Sequence, residues 1–299
     1  MTRVRLALVA LVLLSLAAPS VARAAAPSPS IVAKTKTVKA GKIRIGYREF
    51  GKGSPVVFVM GLFGTMDVWD PEFLDPLAKH HRVIVFDNRG IGRSTDTSAS
   101  FTIHDMGEDT AHLIKALKLD KPGLVGWSMG GFIAQDVAIN HPKLISRLVL
   151  NSTGPQAPRF VAPSAEIIGK LFGPMPSQAD ILATLFPPAQ EAQLQGWIGR
   201  FTKRQPLEAV PPATAKKQTL AVAGWAGGTG TDDPKRIKVP TLVGAGLDDT
   251  LIPPQNARVL AKRIPHAKLK LFRDASHAFL FQERKTWVPR IERFLKTGR

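Results

Sequence analysis

The chain has 299 residues, 44% of them hydrophobic, so it can bury one substantial core with room for an inserted subdomain. It has no cysteine, which excludes disulfide bonds and a lipid anchor on an N-terminal cysteine. The net charge is +18, but no run of five basic residues and no nucleic-acid-binding motif accompanies it. A dispersed, solvated basic surface is expected, and no nucleic-acid partner.

The first residues have the three-part pattern of a secretory signal peptide. Two arginines precede an apolar run over 6–16, and a small-residue cleavage site ends at Ala24. The run is too short to span a bilayer, so we expect a signal peptide at 1–24, a flexible leader at 25–33 and no stable membrane anchor. The mature chain would carry +15, because 1–24 contains three arginines and no acid, and would be periplasmic or secreted in a bacterium. An uncleaved interfacial anchor is the alternative.

Short apolar strands alternate with helical patterns, which predicts a mostly parallel sheet with helices on both faces. Strand-like runs occur at 42–49, 56–60, 83–86, 123–126, 148–150, 241–244 and 269–272, and helical patterns include 105–118, 131–140, 255–264 and 286–296. The alternation breaks over 154–235, where prolines and amphipathic helical segments predict a helical cap over the catalytic edge of the sheet. The core domain is then expected at 35–153 and 236–299.

One strand-to-helix junction carries a candidate nucleophile. Residues 126–130 read Gly-Trp-Ser-Met-Gly between an apolar run and a helical pattern. A tight turn there would aim the Ser128 hydroxyl outward, with glycines where a Cβ would clash. The helix that follows would favour negative charge developing beside the serine.

A serine nucleophile needs a histidine base and a carboxylate that orients it, and in this architecture the chain order is Ser, Asp or Glu, His. Asp248 and Asp249 follow one apolar strand, and His277 follows the last strand. Loops at the carboxyl ends of parallel strands are where catalytic groups gather. Of the two acids we favour Asp249, with Asp248 as a solvated or loop-capping neighbour.

The remaining six histidines are expected to be surface or capping residues, with the residue at 104 at a helix N-cap. They are His80, His81, His104, His112, His141 and His266. After the strand at 148–150 the chain offers no carboxylate, which removes the other common position for the acid.

Five ordered motifs resemble the α/β-hydrolase superfamily, over nearly all of the chain after about residue 40. They are the segments 56–64, 85–94, 126–130, 246–253 and 276–279. The resemblance implies an α/β-hydrolase fold with a mostly parallel eight-stranded sheet. The spacing from Gly246 to Pro253 is similar to the family's and selects Asp249 as the acid.

The resemblance also implies an oxyanion hole made by the backbone N–H groups of Leu62 and Met129. Most members have a histidine before the glycine of that loop, whereas this chain has Met60, whose thioether cannot replace an imidazole hydrogen bond. The anchoring of the loop is left open. The segment 87–94 is expected to have an architectural role. Arg89 would donate hydrogen bonds to neighbouring carbonyls or to Asp87.

The cap carries ten large apolar residues: Phe160, Leu171, Phe172, Met175, Leu182, Leu185, Phe186, Trp197, Phe201 and Trp225. They either line an apolar pocket for an acyl or alcohol group or form the cap's own core. Together they argue against a strongly charged substrate.

The expected activity is that of a serine hydrolase cleaving carboxylic esters of a small, largely apolar molecule through an acyl-enzyme, with no cofactor and no metal. Hydrolysis of lactones, thioesters or carbon–carbon bonds and cofactor-free perhydrolysis are alternatives on the same triad. A member that only binds a ligand is a further alternative. Nothing in the sequence indicates the oligomeric state.

Overall fold

The computed structural model describes residues 27–172, 178–228 and 232–298, and its centre is one eight-stranded sheet. The strands are β1 (Lys36–Ala40), β2 (Ile43–Phe50), β3 (Ser54–Val59), β4 (His81–Phe86), β5 (Gly123–Trp127), β6 (Arg147–Asn151), β7 (Thr241–Gly246) and β8 (Lys268–Phe272). Their order is β1-β2-β4-β3-β5-β6-β7-β8. Strand β2 is antiparallel to both neighbours, and all pairs from β4 to β8 are parallel.

The described helices follow the strands as the alternation predicts, with additional short ones. They are α1 (Pro29–Val32), α2 (Pro71–Ala78), α3 (Ile103–Ala116), α4 (Met129–Asn140), α5 (Ala165–Phe172), α6 (Gln178–Leu185), α7 (Glu191–Phe201), α8 (Pro212–Gly227), α9 (Gln255–Arg263), α10 (Phe279–Gln282) and α11 (Arg284–Thr297). Short 3₁₀ turns cover Met66–Val68, Pro188–Gln190 and Pro234–Arg236.

Both faces of the sheet are buried, because neighbouring residues of the central strands enter different hydrophobic clusters. On β3, Val57 and Val59 join a cluster with α3, α4 and α9. Val56 and Phe58 join the cluster formed with α2, α10 and α11. A sheet covered on both sides explains why its strands read as continuous apolar runs.

The predicted fold class, a mostly parallel eight-stranded sheet between helices, is confirmed. The sequence pattern located seven of the strands and missed β1, which lies at an edge of the sheet. Only Ala40 of β1 is buried, so the strand has almost no apolar alternation to detect.

Between β6 and β7 the described chain forms α5–α8, within the stretch expected to be a cap; we call 154–235 the inserted segment. Ion pairs hold it to the sheet domain, two of them from α7 and α8. Arg200 of α7 makes a bidentate pair with Asp70, at 2.8 and 2.7 Å. Lys217 of α8 lies 2.7 Å from Asp96. These contacts place α7 and α8 directly on the loops of the sheet domain.

The expected signal peptide at 1–24 lies outside the described residues, but most of the expected leader does not. The prediction that 25–33 is flexible is wrong for its described part, because Pro29–Val32 forms a helical turn. The N–H of Ser30 donates to Asp75 at 3.0 Å, and Arg204 of the inserted segment donates to the carbonyl of Ala33 at 2.7 Å. Within the described residues, no helix combines the length and the apolar character needed to cross a bilayer.

Candidate active site

Ser128 lies in the turn between β5 and α4 with φ 58° and ψ −123°, a backbone conformation that is costly for a residue with a Cβ. The turn is tight, because a Cβ on Gly126 would collide with the carbonyl of Gly130, and a Cβ on Gly130 with that of Val59. The serine is 8% exposed. The sequence motif therefore has the strained geometry that the chemistry of a nucleophilic serine requires.

Polar groups at the end of β6 and just after it hold this turn in place. The N–H of Ser128 donates to the carbonyl of Asn151 at 2.9 Å, and the Thr153 hydroxyl donates to the carbonyl of Ser128 at 2.9 Å. The Asn151 amide also donates to the carbonyl of Gly126 at 3.1 Å. No local pattern indicates these supporting contacts, because they join residues about 25 apart in the chain.

Asp249 and His277 form a directly bonded pair. Nδ1 of the imidazole lies 2.9 Å from Oδ2 of Asp249 and 3.2 Å from Oδ1. The side chains are almost completely buried, at 2% exposed for the histidine and 3% for the aspartate. A carboxylate on Nδ1 selects the tautomer that carries its proton there, which leaves Nε2 free to accept a proton.

The carboxylate of Asp249 is itself fixed by two backbone donors, the N–H groups of Leu251 and Ile252 at 3.1 and 2.8 Å. Asp248 is exposed, so the structure places the favoured acid, and not its neighbour, on the imidazole.

Ser128 and His277 lie at the same edge of the sheet, where β5 and β8 end. The indole of Trp127 links them, since its N–H donates to the carbonyl of His277 at 3.0 Å and its ring lies 5.8 Å from the imidazole centroid. Among the described residues, the serine hydroxyl forms no hydrogen bond with the imidazole. Such bonds are often long in free enzymes and tighten when substrate binds.

The loop after β3 lies close to the serine. A Cβ built on Gly61 would lie 3.1 Å from Cβ and 3.7 Å from Oγ of Ser128, so the space between this residue and the serine has no room for a side chain. The N–H groups of Leu62 and Met129 donate to no other group in the described chain. Met129 begins α4, where backbone N–H groups have no intrahelical partner. Both expected oxyanion donors are free to bind a ligand.

The structure answers how this loop is anchored without the usual histidine. The buried side-chain amide of Asn88 donates to the carbonyl of Met60 at 3.1 Å. The thioether of Met60 is buried and folds under the next turn, with its sulfur 2.7 Å from where a Cβ of Gly64 would be. Asn88 belongs to the segment with an expected architectural role, but no local pattern indicates its pairing with Met60.

In that segment Arg89 pairs with Asp109, at 2.6 and 2.8 Å, and also donates to the carbonyl of Asp105. The suggestion that Arg89 bonds to Asp87 is wrong, while its bonding to a neighbouring carbonyl is correct. Asp87 is buried, and its Oδ1 accepts the N–H of Met66 at 2.7 Å. Burial, with the nearby charge of Asp67, raises the pKa of Asp87 to about 7.

Backbone carbonyls of the inserted segment accept hydrogen bonds from the loop that carries His277. The N–H groups of His277 and Ala278 donate to the carbonyls of Thr184 and Leu185 at 3.3 and 3.0 Å. The Ser276 hydroxyl also donates to the carbonyl of Thr184, at 2.8 Å. The end of α6 thus fixes the loop that carries the imidazole.

Several apolar residues of the inserted segment pack on the sheet domain. Trp197 stacks on Phe281 with centroids 5.4 Å apart, and Trp225 stacks on Phe132 at 5.5 Å. These two rings therefore pack against the sheet domain, an arrangement that neither the pocket nor the cap-core alternative described. Met175 lies outside the described residues.

Two expectations about the other histidines are wrong. The N-cap of α3 is Thr102, which forms a capping box with Asp105, and His104 lies inside the helix beside Asp136 at 3.0 Å. His81 is buried and lies 2.9 Å from the Ser54 hydroxyl, so it is not a surface residue. In the described residues, no group of three His, Cys, Asp or Glu could hold a metal ion.

The parallel sheet, the strained serine turn and the buried Asp–His pair together define a hydrolase of the α/β class. A family model for the alpha/beta hydrolase fold matches residues 54–284, and the chain belongs to that family.

Individual relatives span nearly the same length. The chain is 31% identical over 255 residues to the putative non-heme bromoperoxidase BpoC of Mycobacterium tuberculosis, covering 80% of this chain and 93% of that protein. It is 28% identical over 262 residues to a poly(3-hydroxyalkanoate) depolymerase of Ectopseudomonas oleovorans, covering 82% and 86%. An alpha/beta hydrolase fold protein from Chitinophaga pinensis superposes with a TM-score of 0.82 at 25% identity, covering 90% of this chain and 99% of that one.

Proposed function

We propose that the protein is a serine hydrolase that cleaves carboxylic ester bonds of a small, largely apolar substrate. The observation that carries the proposal is the buried Asp249–His277 pair, at the edge of the sheet where the Ser128 turn lies. The similarity to a depolymerase of a polyester supports ester chemistry.

In the proposed reaction, Nε2 of His277 takes the hydroxyl proton while Oγ of Ser128 bonds to the ester carbonyl carbon. The carbonyl oxygen becomes an oxyanion and accepts hydrogen bonds from the N–H groups of Leu62 and Met129, each worth about 3 to 4 kcal/mol in such sites. The C–O bond then breaks, and the alcohol leaves with the proton from His277. Water, deprotonated by the same imidazole, releases the acid and restores the serine.

The test is Ser128→Ala, with Ser164→Ala as the matched control on an exposed serine of the inserted segment. We expect Ser128→Ala to lower kcat for short p-nitrophenyl esters by a factor on the order of 10⁶ and to abolish labelling by a fluorophosphonate probe, with unchanged circular dichroism. Ser164→Ala should keep both. Wild-type activity in folded Ser128→Ala would reject the proposal, and absent labelling of folded wild-type protein would favour a ligand-binding role.

Lactones, thioesters and activated carbon–carbon bonds present the same electrophilic carbonyl, so the same triad supports their hydrolysis. Perhydrolysis has specific support from the similarity to a putative non-heme bromoperoxidase. In that reaction hydrogen peroxide replaces water in deacylation, and the product is a peracid. Measuring peracid release from an acetyl ester with peroxide, against acid release without it, distinguishes the two outcomes.

We also propose that the inserted segment acts as a cap over this edge of the sheet and that residues 1–24 direct export. The contacts of Thr184 and Leu185 with the histidine loop support the first proposal. The signal-peptide pattern supports the second, and a mature chain that begins at residue 25 by N-terminal sequencing would be the expected result. An unprocessed chain recovered from the cytoplasm would reject it.

A further inference from the structure

Helix α8 of the inserted segment presents one amide side chain in the middle of its buried face. The buried residues of this helix are Thr214, Gln218, Ala221 and Trp225, which share one side. Both ends of the face are fixed to the sheet domain. The Thr214 hydroxyl donates to the carbonyl of Gly90 at 3.0 Å, and the Trp225 ring stacks on Phe132. Gln218 lies between these contacts and is 0% exposed.

The two ends of the Gln218 amide differ sharply in their bonding. Oε1 accepts the N–H of Phe63 at 3.1 Å. Nε2 is buried and, within the described part of the chain, has no hydrogen-bond partner. Exchanging the two atoms would set an NH₂ group against the N–H of Phe63, so the contact assigns Nε2 as the donor end. A buried donor without a partner is costly, and native proteins seldom keep one.

The amide is bonded to the loop that carries an expected oxyanion donor. Phe63 follows Leu62 directly, and a Cβ built on Gly61 of the same loop would lie 3.1 Å from Cβ of Ser128. Phe63 itself has φ 59°, in the left-handed region, and the bond to Gln218 helps to hold it there. The amide thus joins the inserted segment to the oxyanion loop through Oε1. Its NH₂ group donates no hydrogen bond within the described part of the chain.

We propose that Gln218 is a substrate-binding residue whose Nε2 donates a hydrogen bond to an acceptor oxygen on the acyl part of the substrate. The inference rests on the proposed ester hydrolysis and narrows its substrate class to acyl groups with an oxo or alkoxy oxygen near the scissile carbonyl. A neutral amide donor suits a neutral ketone or ether oxygen. A site with an unpaired donor discriminates against an analogue that lacks the acceptor, because that analogue leaves the donor unpaired.

Two esters of equal chain length test this inference, p-nitrophenyl methoxyacetate and p-nitrophenyl butanoate, which differ by an ether oxygen in place of a methylene. The measured quantity is the ratio of their kcat/KM values, because comparing this ratio between variants cancels the intrinsic reactivity of each ester. We expect Gln218→Leu to lower the ratio by about 10-fold, the size of one hydrogen bond to a buried donor. Gln195→Leu, on the exposed side of α7, should leave it unchanged.

Gln218→Glu separates substrate binding from support of the loop. Burial favours the protonated form of a carboxyl, so the assay is run at a raised pH that ionises the glutamate. The ionised glutamate keeps an acceptor for the N–H of Phe63 but has no donor for the substrate. We expect this variant to lose the preference for methoxyacetate as Gln218→Leu does. If Gln218→Glu keeps the wild-type ratio, the residue only supports the loop and the inference is overturned.

A binding measurement distinguishes this failure from failure of the proposed function. In a Ser128→Ala background, calorimetry compares ethyl methoxyacetate with ethyl butanoate, with and without Gln218→Leu. A preference for methoxyacetate that needs Gln218 supports the inference even if wild-type protein hydrolyses neither ester. Equal affinity for the two esters, or no binding of either, overturns it.

Discussion

Asp249 is fixed by three partners, the N–H groups of Leu251 and Ile252 and the imidazole of His277. The backbone bonds leave the carboxylate one orientation toward Nδ1. An acid held in this way can orient the histidine and stabilise the imidazolium that forms during proton transfer.

We expect Asp249→Asn to lower kcat for p-nitrophenyl esters about 10⁴-fold, because an amide favours the wrong imidazole tautomer. The stability of the fold should change little. Asp248→Asn is the matched control, since that side chain is exposed. Steady-state kinetics of both variants test this. Equal losses in the two variants would contradict the assignment of Asp249.

Candidate residues for the proposed chemistry can be chosen from the sequence because their types, order and positions after strands are constrained by the fold. The structure brings Asp249 and His277 into contact and places Ser128 at the same edge. The side chains that support them were not predictable. Thr153 and Asn88 act through hydrogen bonds to residues 25 and 28 positions away, and no local pattern records such a pairing.

At the scale of elements, strongly periodic segments were predicted well and weakly periodic ones were missed. The predicted helix at 255–264 corresponds to α9 within one residue. Helix α2 escaped prediction because it has eight residues and contains Pro76. Strand β4 leads directly into the buried carboxyl of Asp87.

Asp87 makes the stability of the sheet domain depend on pH. Burial raises its pKa to about 7, so the folded state holds this proton more tightly than the unfolded state, whose pKa is near 3.8. The resulting stabilisation is complete below the unfolded pKa and is lost as the pH rises to about 7. Because one pKa unit corresponds to about 1.4 kcal/mol, the contribution should fall by about 2 kcal/mol between pH 5 and 7.

We expect Asp87→Asn to remove this dependence. Relative to the variant, the free energy of unfolding of the wild type should decrease from pH 5 to pH 7, as measured by urea denaturation. Asp120→Asn changes an exposed carboxyl and should follow the wild type at every pH. A constant difference between the wild type and Asp87→Asn would show that Asp87 titrates alike in both states.

At the scale of the whole molecule, the described start of the chain joins the sheet domain to the inserted segment. Residues 28–33 contact Asp75 of α2 on one side and Arg204, which follows α7, on the other. Arg204 also donates to the carbonyl of Ile31 and lies 3.4 Å from Asp67. One guanidinium therefore connects three separate parts of the chain.

We expect Arg204→Met to lower the free energy of unfolding by about 2 kcal/mol, because it removes charge-assisted hydrogen bonds to two carbonyls. It should also speed proteolysis within the inserted segment, measured by mass spectrometry of limited digests. Arg236→Met removes a more exposed pair with Asp232 and should have a smaller effect. Identical digestion of both variants would mean that the leader does not restrain the segment.

The bonds from Thr184 and Leu185 to the histidine loop, with that from Gln218 to Phe63, have a consequence for engineering. In a chimera that receives this segment from a relative, the groups that accept hydrogen bonds from the His277 loop and from the oxyanion loop would be replaced. Grafting it would therefore alter catalytic competence together with substrate choice. Libraries that preserve these three acceptors while varying the rest of the segment would let specificity change on an intact reaction centre.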